Sequence, residues 1–213
     1  MLLAAEFAFL FVGVPLLVYY RIIPNLPIPY LLLMALFAFL LLRHDSSFDA
    51  ARLTTLANLR PRVLPLLMRD AICLALLGLS VRFLAPQYLF SFVKRAPLFW
   101  GLVMLLYPLL SVYPQELLYR AFFFHRYEAL FGSRWSMVLA SALAFGFVHI
   151  IFGNWLAVGL SIIGGLLFSI TYQQSGSLLF TCLEHAIFGN FIFTIGLGQF
   201  FYHGSRAQAL SGS

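Results

Sequence analysis

A chain of 213 residues that is 62% hydrophobic and 9% charged, with 24 phenylalanines, has too little charge to cover a soluble surface. Its formal charge of +6 does not point to nucleic acid, because it has a single lysine and arginines placed mostly at the ends of apolar runs. That is the pattern of membrane-flanking anchors, with no basic stripe for a phosphate backbone.

The long apolar runs are therefore read as membrane spans, at about 20 residues each. Residues 2–20 make a first helix, retained because no positive region precedes it as in a signal peptide. Pro24, Pro27 and Pro29 break the chain, and a short second span runs from Tyr30 to Leu42. His44 to Asp70 is richer in charge, with apolar residues such as Phe48, Leu53 and Leu59 near helical spacing. It reads as an amphipathic segment lying in the interface. Its arginines put it in the cytoplasm, and with it the N-terminus of a cell-membrane protein. A third span covers about 63–85, and a connection with Lys94 and Arg95 leads to a fourth from Leu98 to Val112.

A motif helix is expected from Pro114 to Leu130, with Pro114 in its first turn. Spans from Trp135 to Phe152 and from Trp155 to Tyr172 follow, the second with a Ser161, Gly165 and Ser169 ridge for close packing. A last helix reaches from Leu178 to Tyr202, before a loose tail over Gly204–Ser213. Cys73 and Cys182 lie within apolar runs and read as buried free thiols. The expectation is an all-α polytopic bundle of about seven or eight helices, one membrane domain over 1–213.

Polar residues gather in the second half. Glu116 and Arg120 are one helical turn apart and can pair, while Gln115 and Tyr119 share the adjacent face. Phe145 precedes His149 by one turn, and Glu184, His185 and Asn190 lie on the last helix. Such groups are costly in lipid and face a bundle interior or a cavity. A Glu–Arg pair that only fixes helix packing is the plainer alternative. A carboxylate and a histidine on different helices can hold a water, directly or through a metal, and remove its proton. A second histidine and an amide can donate to the oxyanion formed on a carbonyl. That chemistry is amide hydrolysis without a covalent intermediate, and no serine elbow or zinc-binding His-Glu-x-x-His helix competes with it.

Glu116–x–x–x–Arg120, Phe145–x–x–x–His149 and His185, in this order, resemble the motifs of the CAAX-protease and bacteriocin-processing family of intramembrane endopeptidases, over residues 98–202. The resemblance implies a helical membrane bundle with a site opening onto an internal cavity, and a peptide or protein substrate met within the bilayer. It also implies roles: Glu116 and His149 on the water, His185 and Asn190 on the oxyanion, and Arg120 holding Glu116 ionised. A divalent metal such as zinc, on Glu116, His149 and His185, is one way of holding the water. Other members are immunity or scaffold proteins, so a non-catalytic peptide-binding role is the alternative function.

Two positions depart from the family pattern. Its first motif usually opens with two glutamates, where this chain has Gln115 and Glu116, and an amide is no general base. Its third usually reads His-x-x-x-Asn or Asp, where this chain has Gly189, with Asn190 one residue later. Glu184 is a possible substitute carboxylate.

Overall fold

In hydrocarbon every backbone N–H and C=O must be satisfied internally, which helices do within a single segment. The computed structural model describes residues 2–56 and 60–201 (60–62 as backbone alone), and every regular element among them is a helix. The main helices are α1 (Leu2–Tyr19), α2 (Pro27–His44), α3 (Arg60–Leu84), α4 (Pro97–Arg126), α5 (Arg134–Phe152), α6 (Trp155–Ser175) and α7 (Leu178–Thr194). Six have the length and apolarity to cross a membrane, and α7 is shorter. The fold is an all-α polytopic bundle.

Three sequence expectations are corrected. The break placed between Val112 and Pro114 does not exist, and α4 runs on for 30 residues. Proline lacks the N–H for a regular helical bond and crowds the carbonyl four residues back. Here the strain is taken up by wider π-helical turns at Pro108–Val112 and Leu117–Phe122, so Pro114 lies inside the helix. The motif helix ends at Arg126, short of Leu130, and a separate single turn covers Glu128–Phe131.

The described part of the segment from His44 to Asp70 does not form one amphipathic helix. Its described part beyond α2 holds a short 3-10 turn, Ala50–Leu53, capped by Asp49, while Arg69 and Asp70 already belong to α3. Leu59 lies outside the described residues. The last helix stops at Thr194 rather than Tyr202, because Gly196 turns the chain at φ 96° into the 3-10 turn Leu197–Phe201. Tyr202 and the tail 204–213 also lie outside the described residues.

Local signals set the other boundaries. Ser133 and Ser136 form a reciprocal cap at the start of α5, Asn154 accepts from the Ala157 N–H at 2.8 Å, and Ser177 from the Phe180 N–H at 3.1 Å. The helices α5 and α6 cross closely through glycines. A Cβ on Gly146 would overlap the Ile162 side chain, and one on Gly165 would lie 3.0 Å from the Ala142 Cα. Ser161 and Ser169, on the expected small-residue ridge, are both buried, and the Ser169 hydroxyl donates to Ser141 of α5 at 3.2 Å.

The core surrounds the middle of α4, where every residue from Leu117 to Phe123 is buried. Phe11 of α1 packs edge-on against Phe123 and Tyr119, at ring distances of 5.1 and 5.4 Å. By contrast, α3 exposes Leu64, Met68, Ile72, Leu76 and Phe83, the pattern of a lipid-facing helix.

Candidate active site

Glu116 and Arg120 are both wholly buried in the middle of α4, with Arg120 Nε 3.2 Å from Glu116 Oε2. A lone buried charge would be costly, and the helix supplies its counter-charge one turn away. Arg120 is held further: Nη1 donates to the Ser141 hydroxyl of α5 at 3.1 Å and to the Tyr119 carbonyl of its own helix at 3.3 Å. Its guanidinium also lies 5.0 Å from the centre of the Phe145 ring.

The other oxygen of Glu116 turns to α7. His185 Nδ1 lies 2.8 Å from Glu116 Oε1, and His185 Nε2 lies 3.0 Å from the Tyr107 hydroxyl, which comes from an earlier turn of α4. In the tautomer that donates Nδ1–H to the carboxylate, Nε2 accepts from the phenol. The imidazole stacks on Phe168 of α6 at 4.5 Å between ring centres.

His149 begins the 3-10 turn that ends α5. Its Nδ1 lies 2.7 Å from the Phe145 carbonyl, which can only accept, so Nδ1 is protonated and Nε2 is the acceptor nitrogen. Phe145 is the wall common to both imidazoles, 5.0 Å from His149 and 5.5 Å from His185.

These groups border a cavity of about 940 Å³, lined mainly by apolar side chains. Tyr107, Ser111, Gln115, Tyr119, His149 and His185 are among its polar lining, whereas Glu116 is not part of the wall. Gln115, at the position where the family pattern has its first glutamate, donates its amide to the Ser111 hydroxyl at 2.6 Å. The cavity wall thus carries an amide, a serine hydroxyl, two phenols and two imidazoles, and the carboxylate stands behind His185.

Two other sequence candidates sit away from this group. Glu184 faces a different side of α7 from His185, where its carboxylate takes a short hydrogen bond from Arg69, which also bonds Asp70 at 2.7 Å and Thr171 at 3.0 Å. This clamp ties α3 to α6 and α7. Asn190 directs its amide nitrogen at the Met104 carbonyl, 3.4 Å away, and does not line the cavity. Gly189, one turn after His185, does line it, and a Cβ there would collide with the Tyr107 ring and hydroxyl.

As arranged, the donors do not form a metal-ligand set. Among the described residues no three His, Cys, Asp or Glu side chains gather to hold one ion, and the two Glu116 oxygens are turned to His185 and Arg120. The arrangement suits proton transfer and hydrogen bonding to a carbonyl in a site of low dielectric.

Tyr107, Ser111, Ser141 and the Arg69 clamp were not among the residues singled out from sequence. Tyr107, Ser111 and Gln115 recur every four residues in an otherwise apolar helix, a polar stripe that could have revealed the first two. Ser141 carries no such signal.

Residues 97–191 match the family described as type II CAAX prenyl endopeptidase Rce1-like. No curated protein and no solved structure matches the chain. The matched segment holds all of α4, α5 and α6 and most of α7, and with them Glu116, His149 and His185. This motif-bearing part of the chain is therefore similar to the CAAX-protease and bacteriocin-processing family, over somewhat less than half of the sequence.

Proposed function

We propose that the protein is an intramembrane endopeptidase that hydrolyses a peptide bond with water, without a covalent intermediate. The observation that carries this reading is the buried hydrogen-bonded pair of Glu116 and His185 beside an apolar cavity, with His149 on the same wall. Glu116 orients His185 and fixes its tautomer, as a carboxylate does for an imidazole in other hydrolases. His149, with Nε2 fixed as an acceptor, holds the attacking water from a second direction. Gln115 offers an amide N–H to the oxyanion, taking a donor's place where the family pattern has a base. The family points to a protein substrate with a prenylated C-terminal segment, and the apolar lining suits such a chain.

The test is cleavage of a prenylated, fluorophore-labelled C-terminal peptide by the purified protein in liposomes, with and without chelator. We expect turnover that is insensitive to the chelator and falls by about 10²–10⁴-fold in His185→Ala and His149→Ala. Absence of cleavage in the wild type overturns the reading.

A second reading is favoured by Gln115 itself. With an amide on the wall and Glu116 withdrawn from it, the cavity binds a peptide or lipidated segment without cutting it, as an immunity or scaffold member does. Saturable binding of the same peptide without cleavage supports this alternative.

The orientation proposed is cytoplasmic for the N-terminus and for the connection after α2. Arg126 bonds Glu6 at 2.7 Å and His125 lies 2.8 Å from Asp45, which puts these segments at one end of the bundle. Labelling of Ser46→Cys in intact cells by an impermeant thiol reagent would reverse the orientation.

A further inference from the structure

One gap remains, since the carboxylate that orients His185 does not reach the cavity, and His185 Nε2 already meets the Tyr107 hydroxyl. Tyr107 and His185 both line the wall, and with Nε2 taken by the phenol a water in the cavity reaches that nitrogen through the Tyr107 oxygen. The phenol is seated there by two observations. Its ring packs edge-on against Phe193 at 5.3 Å, and it fills the space that any side chain at position 189 would need. Gly189 is thus the vacancy on α7 into which α4 inserts Tyr107. Where the family pattern puts an amide one turn after the histidine, this chain puts a phenol.

We propose that Tyr107 is a catalytic residue, the proton relay through which Glu116 and His185 act on the water. As the water oxygen attacks the carbonyl carbon, its O–H bond breaks and that proton goes to the Tyr107 oxygen. The phenol proton passes at the same time to His185 Nε2, giving an imidazolium that faces Glu116. For collapse, the relay runs backwards. His185 returns a proton to Tyr107, Tyr107 gives one to the leaving nitrogen, and the C–N bond breaks to a carboxylic acid and an amine. No oxidant, metal or further reactant is needed. The phenol remains neutral throughout, and one proton is in flight on each side of it.

This inference rests on the peptidase reading, and the experiment separates the two. Tyr107→Phe keeps the ring in place and removes only the relay. In the liposome assay we expect kcat to fall by about 10²-fold or more, with KM changed by less than about threefold and the melting temperature retained. A fluorinated tyrosine at position 107, which keeps the hydroxyl and makes it more acidic, should shift the basic limb of the kcat–pH profile to lower pH. A purely structural role would not move that limb. Wild-type turnover that is unchanged in Tyr107→Phe, or a profile unmoved by fluorination, overturns the relay and leaves the peptidase reading standing. A wild type that never cleaves overturns both.

Discussion

His185 Nδ1 and Glu116 Oε1 lie 2.8 Å apart although 69 residues separate them in sequence. That one contact joins the helix of the first motif to the helix of the third, and on the other side of Glu116 stands Arg120. The carboxylate is therefore both a packing element and an orienting group, and the two roles have different experimental signatures.

Arg120→Ala strands Glu116 as a buried unpaired acid, a change that costs about 3–5 kcal/mol in comparable pairs. Arg126→Ala removes a partly exposed pair with Glu6 and should cost at most about 1 kcal/mol. Unfolding in detergent followed by circular dichroism should show a much larger loss for Arg120. Equal losses would mean that the Glu116–Arg120 pair contributes little.

Gln115→Glu separates the two functional readings by the sign of its effect. In the peptidase, it removes an N–H donor from the cavity wall and sets a second carboxylate beside Glu116, so kcat should fall by about 10²-fold. In a protein that only binds, the same change supplies an acid and can start turnover where there was none. The readout is the initial rate of peptide cleavage in liposomes.

Gly165→Val tests the crossing of α5 and α6. The added carbons would meet the Ala142 backbone, for which a Cβ alone already stands at 3.0 Å. Backbone cannot yield as the end of a flexible side chain can, so a loss of about 1–3 kcal/mol is expected. Gly159→Val, on the same helix with open space around it, should be nearly silent in the same melt.

The contact between Asp45 and His125 predicts a pH dependence. The Ser47 hydroxyl, and after it His125, hold the Asp45 carboxyl well below the usual carboxylate range. A depressed pKa contributes stability in full above the unfolded value, about 3.9, and loses it as pH falls through the folded one. The difference in melting temperature between wild type and Asp45→Asn should accordingly persist from pH 7 to about 5 and shrink only below about 4. A difference that grows on acidification would contradict the assignment.

The spans were legible because each is an apolar run closed by a turn signal that folds as written, such as Gly153-Asn154 before α6 or Gly176-Ser177 before α7. The Glu116–Arg120 pairing was legible too, since four-residue spacing survives modest changes of helical pitch. The phase of α4 was not. A proline reads as a boundary, and nothing local to Pro108 or Pro114 announces that wider turns will carry the helix through. Which of Gln115 and Glu116 faces the cavity depends on that phase. The partnership of Tyr107 with Gly189 was hidden because it depends on an absent side chain 82 positions away. The Arg69–Glu184 clamp was hidden because Arg69 had been assigned to an interfacial segment rather than to a packed helix.

The wide turn at Pro108–Val112 makes the chemistry of the wall a matter of chain length. A π turn holds one residue more than the α turn it replaces, and each residue of a regular helix advances the face by about 100°. Removing one residue between Pro108 and Val112 would let the helix close up while everything from Tyr113 onward slides back by one place. The seat now held by Gln115 would then be filled by Glu116, and a carboxylate would look into the cavity in place of an amide. No substitution is required for this exchange. For a helix built in this way, a single codon lost upstream of the motif is a mutation of the cavity wall.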